Sequence, residues 1–134
     1  MNPVIFRLLL AIAIAAALAG TWRLLTWSVI RRSAGRARRL AQFTPGTPGV
    51  VYFTTPDCVT CRVAQKPALK ALSRRRPEVQ VIEVDALENS TLAREWAVLS
   101  VPTTFVLDRQ GRPRQVNYGF ASADKLAAQL ASVS

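Results

Sequence analysis

The chain has 134 residues, half of them hydrophobic, with 18 Lys or Arg against 8 Asp or Glu, two cysteines and no histidine. The lack of histidine excludes Ser-His and Cys-His catalysis and most zinc sites, and the length leaves room for one modest core. The net charge of +10 is uneven: residues 1–44 carry seven arginines and no acid, whereas residues 45–134 carry only +3. Basicity placed beside an apolar stretch points to membrane topology and anionic headgroups before nucleic acid.

From Leu8 to Ile30 the chain reads LLLAIAIAAALAGTWRLLTWSVI, 23 residues broken only by Arg23. A helix of about 20 apolar residues crosses ~30 Å of hydrocarbon. Arg23 is near enough to the end to snorkel to an interface beside Trp22 and Trp27. The segment is apolar on all faces, which argues against a buried helix of a soluble core. A cleaved signal peptide is the competing reading, with Arg7 as the charged start and Ala17-Leu18-Ala19 as the cleavage site. The apolar continuation through Leu24, Leu25, Trp27, Val29 and Ile30 favours a retained anchor. Arg31, Arg32, Arg36, Arg38 and Arg39 follow the span and only Arg7 precedes it. The positive-inside rule then keeps the C-terminal part in the cytoplasm, whereas a signal peptide would export it. Residues 1–30 are thus read as the transmembrane anchor or signal peptide and 31–47 as a basic juxtamembrane linker. The folded domain is read as 48–134, with the Pro-Gly cluster of 44–49 at its boundary.

Val50 to Thr55 is a short β-branched and aromatic run, read as a buried strand that Pro56-Asp57 ends. A helix is predicted from Cys58 to Arg76, carrying Val63, Leu69 and Leu72 and kinked at Pro67. Val79–Asp85 is a second strand, and a short helix follows over 90–98. Thr103–Leu107 is a third strand, Asp108–Gly111 a turn, and Pro113–Tyr118 a fourth strand. Ser122 can cap a last helix with Leu126, Leu130 and Val133 on one face. The order is βαβαββα, read as parallel crossovers first and then a hairpin.

Cys58-Val59-Thr60-Cys61 carries the chemistry. A structural disulfide over so short a loop would constrain the unfolded chain little. Zinc would need two chains to share four cysteines. Thiol–disulfide exchange fits better, because it requires a thiolate and an ordinary cysteine with a pKa near ~8.5 supplies little. Cys58 stands at a strand-to-helix junction, where unpaired N–H groups and the helix dipole favour the anion. Cys61 lies one turn on and can close a disulfide with it. Cys58 is therefore expected to attack and Cys61 to resolve the mixed disulfide.

With the strand VVYFTT, the motif DCVTC followed by Arg62, the strand VIEVD, the segment Ser100-Val101-Pro102-Thr103-Thr104-Phe105, the turn RQG and Tyr118-Gly119-Phe120, the chain resembles the thioredoxin superfamily over residues 48–134. The resemblance implies an α/β, thioredoxin-like three-layer fold with a central mixed four-stranded sheet, preceded here by a transmembrane helix. It also implies a cis Pro102 facing the dithiol and a Val101 backbone that pairs with an extended substrate. The chain departs from the family pattern in having Asp57 for the usual Trp and Val59-Thr60 for Gly-Pro. Tyr52 stands for the buried acid, and no lysine lies in 79–85. Asp57 puts a negative charge near Cys58 and opposes its ionisation.

The expected function is a membrane-anchored thiol–disulfide oxidoreductase of the protein-disulfide reductase type. Its redox group would be the Cys58–Cys61 disulfide, with no metal or other cofactor. Its partners would be protein thiol/disulfide substrates, a thiol reductant or reductase, and the lipid bilayer, with no nucleic acid. The alternative is a redox-inactive adaptor or chaperone of the same fold at the membrane.

Overall fold

The computed structural model describes residues 2–33, 40 and 42–133. Arg36, Arg38 and Arg39 of the basic stretch lie outside the described residues. Asn2 Oδ1 accepts the Val4 N–H at 3.2 Å and opens helix α1, Pro3–Ser33. Pro3 suits the first turn, where its missing N–H would have no partner. Over Pro3–Arg31 this helix is long and apolar enough to cross a membrane or to be a signal sequence. Phe6, Ile12 and Leu18 are among the apolar side chains it exposes on all sides. The hydroxyls of Thr21 and Ser28 donate to the carbonyls of Ala17 and Leu25 at 2.8 and 2.7 Å, so neither needs water.

Strands β1 (Gly49–Thr54), β2 (Gln80–Asp85), β3 (Thr103–Leu107) and β4 (Pro113–Tyr118) form one mixed sheet in the order β2-β1-β3-β4. The continuous run of β1 is buried on both faces, as a central strand requires. Alternation sends Val50 and Tyr52 into a core with Leu69, Leu72, Leu126 and Leu130. It sends Val51 and Phe53 into a second core with Trp96 and Phe105. The helices α2 (Lys66–Arg75) and α4 (Ala123–Val133) cover the first core, and α3 (Ser90–Glu95) the second. This is the three-layer arrangement expected. In the second core Phe53, Trp96 and Phe105 meet at centroid distances of 5.8, 5.9 and 4.9 Å, two of the pairs edge to face.

Helical structure begins at Val59 and continues through a π-helical turn, Cys61–Gln65, into α2. Pro67 cannot donate, and its ring presses on the carbonyl four residues back. The irregularity expected at Pro67 lies just ahead of it, where the Lys66 N–H bonds to Cys61 O and widens the turn.

Only the first connection is a parallel crossover. β1 and β2 are parallel, but β3 runs antiparallel to β1, which corrects the expectation of two parallel crossovers. The helical run 59–75 rises roughly 25 Å, enough to return the chain along a strand of about 20 Å. The six residues of α3 rise only about 9 Å, so β3 starts near the level at which β2 ends. α3 is also shorter than the predicted 90–98. Ala97 takes φ 53°, and the Ala97 and Val98 amides bond to Arg94 O and Ala93 O, an end motif that stops the helix as Trp96 enters the core.

Two residues read as linker are part of the fold. Leu40 and Phe43 are buried in the second core. The Gln80 side chain holds Thr44 and Thr47 through four hydrogen bonds of 2.6–3.1 Å. Gly111, at φ 77°, lies so close that a Cβ there would stand 2.7 Å from the Phe43 ring.

Candidate redox site

Strand register brings three loops to one end of the sheet. β1 and β3 pair antiparallel with Phe53 opposite Thr103, and β3 pairs with β4 with Thr103 opposite Tyr118. The segment from Thr55 to Cys58, the segment ending at Pro102, and the segment from Gly119 to Ser122 therefore leave the sheet side by side. Residues far apart in sequence meet here because one strand runs against its two neighbours.

Cys58 and Cys61 are joined in a disulfide with Cα atoms 5.2 Å apart. Cys58 occupies the cap position ahead of Val59, and its N–H donates to Thr55 O at 3.2 Å. Its Sγ accepts the N–H of Cys61 at 3.2 Å. A cap normally offers a hydroxyl or carboxylate oxygen to this N–H, and here the sulfur takes that place. Once the disulfide is reduced, the same N–H and the positive end of the helix would stabilise a thiolate on Cys58. Cys58 is partly exposed, whereas Cys61 is completely buried.

Val101–Pro102 is a cis peptide, as the resemblance implies. Pro102 is buried and its carbonyl accepts the Gly119 N–H at 2.8 Å. Val101 is half-buried and packs against both cores, and Cys58 packs against the core that contains Cys61. The four residues singled out in the sequence thus lie at the same sheet end. Around them Val59, Val63, Leu99 and Phe120 are apolar and at least half exposed.

Gln65 escaped the sequence reading. It is fully buried in the π turn. Its Nε2 donates to Ala121 O at 3.0 Å, and its Oε1 accepts the Ala121 N–H at 2.9 Å. One amide therefore ties the dithiol helix to the loop that carries Phe120. The signal was its spacing, four residues from Cys61 and four from Leu69, both buried.

Tyr52 is buried in the core that holds Cys61, and its hydroxyl makes no hydrogen bond of normal geometry. Burial, with the Glu83 charge, raises its pKa above the usual tyrosine value and outweighs the lowering by the Thr54 hydroxyl and Lys66. A phenol so raised keeps its proton at neutral pH and cannot accept one from Cys61. Lys66 pairs with Glu83 at 3.0 Å, and that hydrogen bond raises the pKa of the lysine.

Comparison with known proteins agrees with this geometry. The profile of the family described as thioredoxin-like domain matches residues 44–134. Thioredoxin H-type of Ricinus communis is 38% identical over 82 residues, which cover 61% of this chain and 67% of that protein. Thioredoxin H1 of Arabidopsis thaliana is 28% identical over 106 residues, covering 79% of this chain and 83% of that one. Among solved structures, thioredoxin of Fasciola hepatica superposes with a TM-score of 0.58 at 27% identity, covering 67% of this chain and 84% of its own. Thioredoxin-2 of a malaria parasite does so with a TM-score of 0.62 at 25% identity, over 67% and 86%. With a capped sulfur pair, a cis proline at the same sheet end and these relatives, the chain belongs to the thioredoxin-like family and is a thiol–disulfide oxidoreductase.

Proposed function

We propose that the protein is anchored in a membrane by α1 and reduces disulfides of protein substrates, with Cys58 attacking and Cys61 resolving. One observation carries this reading: the Cys58 sulfur receives the Cys61 N–H at the start of the helix. In the reduced protein the Cys58 thiolate attacks one sulfur of a substrate disulfide. A mixed disulfide forms and the other substrate sulfur leaves as thiolate. Cys61 then attacks Cys58 Sγ, the second substrate sulfur leaves, and the proton of Cys61 passes to the departing thiolate. Two electrons have moved to the substrate, and the Cys58–Cys61 disulfide remains to be reduced by an external dithiol. The exposure of Cys58 and the burial of Cys61 suit these roles. The Val101 backbone beside cis Pro102 is the segment against which an extended substrate would lie, with Val59, Leu99 and Phe120 as an apolar rim.

The length and composition of α1 support the anchor, and the arginines from Arg31 to Arg39 support a cytoplasmic domain. In a reducing compartment, substrate reduction is the natural direction. The mechanism is tested with the full chain in detergent, measuring turnover of a disulfide-bonded protein by dithiothreitol. Cys58→Ser should abolish turnover, and Cys61→Ser should trap the mixed disulfide. A Cys58→Ser variant working at full rate would rule the mechanism out. Labelling of the reduced Cys58 thiol in intact cells by a membrane-impermeant reagent would contradict the cytoplasmic placement.

A further inference from the structure

Towards the C-terminal end of the apolar stretch of α1, Trp22, Arg23 and Trp27 face Arg114 of β4 and Lys125 and Gln129 of α4 across a groove of about 630 Å³. The groove is lined by three cations and no carboxylate. Among the described residues none of Arg23, Arg114 and Lys125 is in a salt bridge, although other cations of the domain are paired with acids. Unpaired like charges around one hollow repel each other, and an anion seated between them relieves that repulsion.

The position of the groove says which anion. Sixteen residues separate Arg7 from Arg23, a rise of about 24 Å. That rise is about 6 Å short of ~30 Å of hydrocarbon, a gap that the two arginine side chains cover by snorkelling to opposite interfaces, and Arg23 then reaches headgroup depth. Trp22 and Trp27 are amphipathic rings that favour this depth, and Arg31 stacks over Trp27 at 4.4 Å. The same end of α1 lies against β4, with Val29 packed on the second core, so the groove runs between helix and domain and is open on its outer side.

We propose that this groove binds the phosphodiester headgroup of an anionic phospholipid. Arg23 and Arg114 take the phosphate oxygens with their planar donor pairs, Lys125 adds a point charge, and Trp22 and Leu24 meet the upper acyl chain. The lipid would hold the domain against the bilayer surface beside its β4 edge. The inference rests on α1 as a membrane span. A free phosphate ion would satisfy the cations but would give Trp22 and Leu24 nothing to contact.

The test reconstitutes the full chain in phosphatidylcholine vesicles with acyl-brominated phosphatidylglycerol and reads quenching of Trp22 and Trp27, with acyl-brominated phosphatidylcholine as reference. Phosphatidylglycerol should be preferred, and Arg114→Gln with Lys125→Gln should cut that preference by roughly twenty-five-fold, about fivefold for each cation near the surface. Lys70→Gln with Arg74→Gln removes the same charge from exposed positions of α2 and should leave the preference intact. Equal quenching by the two lipids, or an equal loss in both double variants, would overturn the site. Loss of the preference on adding millimolar inorganic phosphate at constant ionic strength would assign the groove to free phosphate and overturn the lipid. Release of the chain from vesicles by alkaline washing would overturn the anchor and the site together. A chain that stays with the vesicles without the preference overturns the site alone.

Discussion

Replacing Gln65 by leucine keeps most of the side-chain volume and removes only the amide. In the wild type that amide satisfies both the N–H and the carbonyl of Ala121, a residue with no solvent exposure. Water cannot replace either partner without opening the loop. Leaving a buried polar group unpaired costs about 1–3 kcal/mol, so the two orphaned groups together should cost roughly 2–6 kcal/mol. For a domain of this size each kcal/mol lowers Tm by about 4–8 °C, giving an expected fall of at least ~8 °C. The loss should show in urea unfolding of the oxidised full chain in detergent, followed by near-ultraviolet circular dichroism. It should be accompanied by faster hydrogen exchange at the Ala121 amide, because the loop from Gly119 to Ser122 loses its tie to the dithiol helix. A loss below ~0.5 kcal/mol with unchanged exchange at Ala121 would refute the reasoning, since it would mean that the loop holds its place without Gln65.

Tyr52→Phe should stabilise the protein by about 1 kcal/mol, because it deletes a buried hydroxyl that has no normal hydrogen bond. A loss of stability in the same urea assay would show that the hydroxyl is satisfied. The raised pKa values of Tyr52 and Tyr118, both caused chiefly by burial, make a linked prediction. An unfolded tyrosine gives up its proton near ~10 while the folded one keeps it, so stability is full below that pH and falls as pH rises through the folded values. Tyr52→Phe should make that alkaline loss shallower, and an unchanged slope would contradict burial as its cause. Ala97→Gly should gain about 0.5–1 kcal/mol, since Ala97 sits at φ 53° where glycine is not strained. No gain in the midpoint would indicate that the left-handed residue is not under strain.

The local features of this protein were legible because they depend on neighbours in the chain. The apolar run of α1, the β-branched run of β1, the breaker ahead of Cys58 and the helix after it follow from propensity and spacing, and so does a sulfur at a helix start. What required the fold is every relation between distant segments. The direction of β3 turned on α3 being too short to carry the chain back, and no pattern within β3 itself records that. Leu40 and Phe43 sit in a stretch rich in arginine, proline and glycine, yet a core surface formed by Phe105, Leu107 and Gly111 draws them in. Gln65 looked like an ordinary polar helix residue, and its meaning appears only when Ala121, 56 residues later, arrives within hydrogen-bond reach. Sequence alone thus determined where a reactive sulfur could be made. Tertiary structure decided what surrounds it, because strand register and the burial of unpaired polar groups are settled between elements and not within them.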